Sequence, residues 1–118
     1  MFRMGLRGAI GRMLDNAVIS KALDEGNEGM KGMDHISYGI FKRLLDYDKE
    51  YNLNRFGFTD DQRAIAALYI YSKEVRSPLY ARVEAAVRGY AAENGCGAPF
   101  AKLDSHITWV DGHMTWNH

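Results

Sequence analysis

The sequence predicts a small, mainly α-helical domain of about four helices with a C-terminal two-stranded β-hairpin. Apolar residues recur at helical spacing through most of the chain, and helix-capping residues bound those segments. Near the C-terminus, two alternating runs are joined by Asp-Gly, a strong hairpin signal. The chain has 118 residues, 47% hydrophobic and 25% charged, which is typical of a single globular domain over residues 1–118.

The first predicted helix spans residues 6–24. Its apolar side chains form one helical stripe that we expect to be buried, consisting of Leu6, Ile10, Met13, Leu14, Ala17 and Val18. Gly5, Gly8 and Gly11 each cost about 1 kcal/mol relative to alanine inside a helix, so we expect the start to fray. Residues 25–33 contain three glycines and no apolar period, and this composition predicts a linker.

Three further helices are predicted, over residues 34–51, 60–75 and 78–94. Asp34 and the pair Ser77 and Pro78 supply start signals. Thr59 and Gln62 form a capping box, in which the Thr59 hydroxyl accepts from the Gln62 amide and the Gln62 side chain reaches back. The broad apolar arc of the helix over residues 60–75 indicates a central position. We expect these three helices to form the core.

Residues 106–116 predict a hairpin that turns at Asp111 and Gly112. A type I′ turn there pairs the strands in one register, which is Val110 with His113, Trp109 with Met114, Thr108 with Thr115 and Ile107 with Trp116. One face is then apolar, and the other, which includes His106, is mostly polar. Because a lone hairpin is marginally stable in water, its apolar face must cover helices of this chain or a partner.

Composition argues against several classes of function. Fifteen Lys and Arg residues balance fifteen Asp and Glu residues, so no global field attracts nucleic acid. No run of 18 apolar residues predicts a membrane span, and Cys96, the single cysteine, cannot form an internal disulfide. Arginines interrupt the N-terminal segment, so we expect a cytoplasmic protein without a secretory signal. No cofactor is predicted.

The tail contains a short tandem repeat, in which Asp104-Ser-His-Ile-Thr-Trp-Val precedes Asp111-Gly-His-Met-Thr-Trp-Asn. Histidine and aspartate are common zinc ligands. In the predicted hairpin, however, His106 and His113 are roughly 13 Å apart along the strands, at about 3.3 Å per residue. Ligands must lie about 2 Å from one ion, so no metal site is predicted.

The same repeat suggests a catalytic alternative. His106-Ile-Thr108-Trp and His113-Met-Thr115-Trp resemble the His-hydrophobic-Thr-hydrophobic element of the two-histidine phosphoesterases. The resemblance implies an enzyme acting on a phosphodiester or nucleotide, with one imidazole as general base, the other as general acid, and the threonines on phosphate oxygens. That family places its two elements in separate halves of a longer chain, whereas seven residues separate them here.

A second resemblance covers more of the chain. The segment from Phe58 to Tyr71, with Tyr80-Ala-Arg-Val83 and Ala86-Val-Arg-Gly89, is similar to the helical region that precedes the catalytic core of bacterial and phage ADP-ribosyltransferases. This resemblance implies a degenerate helical relative of those enzymes. Their arginine-bearing strand, Ser-Thr-Ser segment and Glu-x-Glu pair do not follow Arg88.

The function that the sequence favours is non-enzymatic. Aromatic side chains with a polar tip are enriched at protein interfaces, and we predict an interaction surface consisting of Tyr47, Tyr51, Tyr71, Tyr80, Trp109 and Trp116. The alternative is that the tyrosines cover the rim of the core. We expect a stoichiometric adaptor, regulator or inhibitor of a larger protein assembly, encoded by a phage or mobile element, with self-association through the C-terminal hairpin as a variant of this hypothesis.

Overall fold

The computed structural model describes residues 5–26, 36–74, 80–95, 98–110 and 113–117. These residues are mostly helical and end in an antiparallel two-stranded hairpin, which confirms the predicted fold class. Within the described ranges there are six α-helices rather than about four. In chain order the elements are α1 (Gly5–Leu14), α2 (Ala17–Gly26), α3 (Ile36–Glu50), a 3₁₀ turn (Leu53–Phe56), α4 (Asp60–Glu74), α5 (Tyr80–Glu93), α6 (Ala98–Asp104), β1 (Ile107–Val110) and β2 (His113–Trp116).

Helix α4 lies at the centre of the described structure. Every residue from Ala64 to Ile70 is buried, and α4 contacts α1, α3, α5, α6 and β2. The predicted central position is therefore confirmed. The helix begins with the predicted capping box, because the Gln62 amide donates to Thr59 Oγ1 (3.2 Å) and the Thr59 amide donates to Gln62 Oε1 (2.9 Å).

The N-terminal segment forms two helices instead of the predicted single helix over residues 6–24. The break falls at Asp15 and Asn16. Asn16 Oδ1 accepts hydrogen bonds from the amides of Val18 (3.0 Å) and Ile19 (3.2 Å), which is the geometry of an N-cap. The prediction of one helix was wrong because this side chain satisfies amide groups at the start of a new helix.

The break also changes which residues are buried. In α2, Ile19 and Leu23 are buried, whereas Ala17 and Val18 are exposed. An uninterrupted helix would have placed Ala17 and Val18 on the buried stripe with the apolar residues of α1. The predicted burial of these two residues was wrong because the helical phase is reset at Asn16.

The core is larger than the three helices that the sequence predicted. Helix α1 buries Ala9, Ile10 and Met13 and packs on α4. Helix α6 buries Leu103, and no helix was predicted in this segment. Pro99 lies in the first turn of α6, where a missing amide hydrogen costs no helical hydrogen bond. The helix is too short to show a helical period in the sequence.

The hairpin has the predicted register. Ile107 pairs with Trp116, Thr108 with Thr115, Trp109 with Met114 and Val110 with His113. Ile107 and Trp116 pack against the core, so this end of the hairpin covers helices of its own chain. The predicted turn residues Asp111 and Gly112 lie outside the described residues, as does most of the predicted linker over residues 25–33.

We expect Asn16→Ala to lower the free energy of unfolding by about 1 kcal/mol, because the first amides of α2 lose their acceptor. Asn16→Asp retains an acceptor and should lie close to the wild-type value. Urea denaturation followed by circular dichroism measures both. An unchanged midpoint for Asn16→Ala would show that the cap does not hold the break.

Candidate functional site

The structure places most of the predicted interaction residues inside the chain. Tyr47 and Tyr51 are buried, at 1% and 8% exposure, and Tyr71 and Trp116 are partly buried against the core. The side chains of Tyr80 and Trp109 lie outside the described part of the structure. The described members of the predicted surface therefore belong to the core or its rim, which is the alternative that the sequence left open for the tyrosines.

Several of these residues form an aromatic cluster where the hairpin meets the helices. The cluster consists of Tyr47, Tyr51, Phe56, Phe58, His106 and Trp116. The Trp116 ring lies 4.7 Å from Tyr51 and 5.2 Å from His106, measured between centroids. Its Nε1 is buried and has no acceptor among the described residues. Ring packing therefore holds Trp116 in place.

The 3₁₀ turn positions the phenylalanines of this cluster. Left-handed residues flank it, Asn52 with φ 50° and Gly57 with φ 73°, and glycine adopts such a φ at little cost. Phe56 and Phe58 then lie on either side of Gly57 with their rings 5.3 Å apart. A hydrogen bond joins the end of the turn to α6, since Lys102 Nζ donates to the Phe56 carbonyl (3.1 Å).

His106 is part of this packing, although the sequence placed it on the mostly polar face of the hairpin. Its ring stacks on Trp116 with an interplanar angle of 17° and meets Phe56 edge-on. The partner of His106 Nδ1 is the carbonyl oxygen of Asn117 (2.6 Å), so Nδ1 carries the hydrogen and donates it. The Asn117 side chain donates to Thr108 Oγ1. One asparagine thus engages two of the four candidate catalytic residues.

The strand register separates the two histidine positions. Residue 113 pairs with Val110 beside the turn, and His106 precedes Val110 by four residues, or roughly 13 Å of strand. Thr115 is exposed opposite Thr108. The His113 side chain lies outside the described part of the structure. The backbone therefore brings His106 and Thr108 to one end of the hairpin and position 113 to the other.

A separate network of charged groups surrounds the fully buried Tyr69. The Tyr69 hydroxyl donates to Asp104 Oδ1 (2.7 Å) and accepts from Arg88 Nη2 (3.1 Å). Glu84 accepts from Arg88 (3.3 Å) and forms an ion pair with Lys73 (2.9 Å). These contacts join α4 to α5 and α6.

The network shifts the pKa values of its members. Burial disfavours the Tyr69 phenolate and the hydrogen bond to Asp104 favours the protonated form, so the pKa of Tyr69 rises to about 12. Burial is the largest single influence on Lys73 and Glu84 and opposes their charge. Their mutual hydrogen bond and the attraction of neighbouring charges together exceed it, so the pKa of Lys73 is raised and that of Glu84 is lowered. At neutral pH, Tyr69 is therefore a hydrogen-bond donor that links helices and is not a base or nucleophile.

The strongest candidate for an external contact lies between α2 and α5. There the structure has an open groove of about 600 Å³. Ala22 and Ala86 are buried at its floor, and Ala17, Val18 and Ala85 are exposed along its sides. We call this the α2–α5 groove. Alanine side chains end at Cβ, so the facing helices leave space between them.

Val18 is the largest apolar contribution to this groove. At 61% exposure, it is the one large hydrophobic side chain exposed in the part of the chain that the structure describes. Val18 was predicted to be buried because the apolar stripe through residues 6–24 is continuous in the sequence. Asp15 followed by Asn16 was the available signal, since asparagine favours an N-cap position over a helix interior.

Charged side chains border the α2–α5 groove. Arg82 and Glu25 form an ion pair of 2.7 Å, while Lys21 makes no ion pair or hydrogen bond with the residues that the structure describes. Of the three charged side chains that line the groove, Lys21 is therefore the one without an ion-pair partner in the described chain. The contact between Glu25 and Arg82 places the end of α2 beside the start of α5.

Comparison with known proteins gives no assignment. No protein-family model matches the chain, and no curated protein or solved structure is significantly similar to it. In the described ranges, no group of three or more His, Cys, Asp or Glu side chains could hold a metal ion. None of the described helices has the length and apolar character needed to cross a bilayer.

We expect the free energy of unfolding to fall as the pH rises from about 10 to about 12. The folded-state pKa of Tyr69 lies above its ordinary value of 10.0. The stabilisation is therefore complete below the unfolded pKa and is lost as the pH rises through the folded one. Urea denaturation at successive pH values measures this slope.

Tyr69→Phe should remove the part of the pH dependence of unfolding free energy that the Tyr69 phenol causes. It should also remove the absorbance increase that tyrosinate formation gives near pH 12. Tyr71→Phe is the matched control and should leave that increase in place. The assignment to Tyr69 is contradicted if both variants retain the full slope and the late increase.

Proposed function

We propose that the protein acts by binding another protein in the α2–α5 groove, as a stoichiometric adaptor, regulator or inhibitor of a larger assembly in the cytoplasm. The observation that carries this proposal is the exposure of Val18, 61%, beside an apolar groove of about 600 Å³. Covering such a side chain stabilises a complex by on the order of 1 kcal/mol. The alanines around it add apolar area that a partner can bury.

The proposal moves the interaction surface away from the residues that the sequence favoured. Tyr47, Tyr51 and Trp116 contact one another or neighbouring rings within the chain, so exposing them would cost the packing of the hairpin. Val18 contributes little to the fold at its present exposure and is available to a partner.

One observation favours the enzymatic alternative. The Asn117 carbonyl fixes the tautomer of His106 through Nδ1, which leaves Nε2 as an acceptor in the neutral ring, as a general base requires. A phosphodiester- or nucleotide-acting enzyme would need His113 to supply the general acid. The separation of the two positions along the hairpin is the reason that we rank this function second.

We expect Val18→Asp to reduce recovery of the partner at least about tenfold, because it places a charge where the complex requires an apolar contact. The change should not unfold the protein, since residue 18 is exposed in the first turn of α2, where an acid is favourable. Affinity capture from cells of the source organism, quantified by mass spectrometry, measures the loss.

Ala101→Asp is the matched control for this capture experiment. Residue 101 is exposed on α6 and does not line the α2–α5 groove, so the variant should recover the same proteins as the wild type. Equal recovery by Val18→Asp and the wild type would show that the groove is not the binding surface.

We expect the double variant His106→Ala, His113→Ala to hydrolyse bis(4-nitrophenyl) phosphate at the same background rate as the wild-type protein. The reason is that the strand register does not bring the two positions to one phosphate. A rate that depends on the histidines by about tenfold or more, as general acid–base catalysis requires, would favour the enzymatic alternative.

A further inference from the structure

We infer that the occupant of the α2–α5 groove is an amphipathic α-helix of another protein that carries an acidic residue beside its apolar stripe. This inference rests on the proposed function and specifies its partner. The shape of the groove, its small apolar lining and the charge on its border each favour such a helix.

The shape of the groove suits a helix. Helices α2 and α5 lie side by side, with Glu25 near the end of one and Arg82 near the start of the other. The groove between them follows α2 from Ala17 to Glu25 and the first two turns of α5, from Arg82 to Ala86. A third helix laid over two packed helices can insert apolar side chains spaced three and four residues apart. The buried floor of Ala22 and Ala86 leaves room for branched side chains.

The chemistry of the lining favours an apolar stripe on that helix. The floor and sides of the groove consist of alanine and valine side chains, while the charged groups stand at its border. A phosphate-rich polymer would gain little from the alanine floor. A helix with apolar residues on one face would bury both that floor and Val18.

The charge on the border favours an acid in the partner. Arg82 and Glu25 neutralise each other at 2.7 Å, and Lys21 has no ion-pair partner within the described chain. An Asp or Glu next to the apolar stripe of the partner would complete the pairing of Lys21. A basic residue at the same place would face Lys21 and be rejected.

The same charge disfavours a second copy of this chain. In a two-fold dimer the same patch lies on both sides of the interface. Two α2–α5 grooves would then bring their excess positive charges together, and the alanine floors would face each other with no branched side chain except Val18 to fill them. A different helix with an acidic border fits both the charge and the space.

A displayed peptide library tests this inference directly. Every library member has the same helical scaffold, in which the positions of one stripe and one flanking position are randomised. The wild-type full chain is the bait. Binders that also bind Val18→Asp are removed. We expect enrichment of large apolar residues at i, i+3, i+4 and i+7, with Asp or Glu at the flanking position.

Charge reversal identifies the side chain that pairs with the acidic residue of the partner helix. With Lys21→Glu as bait, the flanking position should change to Lys or Arg, and the wild-type binders should weaken by about fivefold, the range of a border ion pair. Lys42→Glu makes the same change of net charge on α3, where residue 42 is exposed, and should leave the selection unchanged.

The outcomes separate this inference from the proposed function. If the selected peptides require Val18 but show no acidic preference or no helical period, the inference of a partner helix with an acidic residue is wrong. The groove would still be a binding surface. Failure to select any such peptide overturns the inference, and if cellular capture is also independent of Val18, the proposed function fails with it. A Val18-dependent dimer in sedimentation velocity would replace the partner helix with a second copy.

Discussion

The complete burial of the middle of α4 is the constraint on which the arrangement of the other elements depends. From Ala64 to Ile70 no side chain reaches solvent, so every direction around the helix must be filled by a neighbour. The alanines on this segment admit close approach, and polar contacts towards its ends select the neighbours. Arg63 forms two hydrogen bonds with Asp48 of α3 (3.0 and 2.6 Å), and Tyr69 joins α5 and α6 through Arg88 and Asp104.

Features that depend on neighbouring residues could be predicted from the sequence, and features that depend on distant contacts could not. The capping box and the hairpin register are local, since a few residues specify each. The break at Asn16 is an exception, because its N-cap signal is local, but the apolar stripe that runs through it favoured one continuous helix. Tyr51 packs on Trp116, which is far along the chain, and Tyr47 packs on Tyr51, so helical periodicity cannot reveal this environment.

The hairpin explains why the candidate site lies elsewhere. A two-stranded sheet needs a surface to cover, and here the aromatic cluster supplies it, with the rings of Tyr51, Phe56 and His106 around Trp116. Aromatic residues that composition alone would assign to an interface are thereby used within the chain. The α2–α5 groove could not be predicted in the same way, because its apolar lining consists of alanines and Val18, which form no motif.

The attachment of α2 has a consequence for how the molecule fluctuates. Helix α2 packs mainly on α5, whereas α1, α3 and α6 pack on the buried centre. Peripheral layers open more often than the elements that enclose a core, so we expect the amides of α2 to exchange with solvent sooner than those of α4. A ligand that contacts both α2 and α5 should therefore slow amide exchange in this outer layer first. Binding would then reduce the motion of α2 while the interior keeps its arrangement.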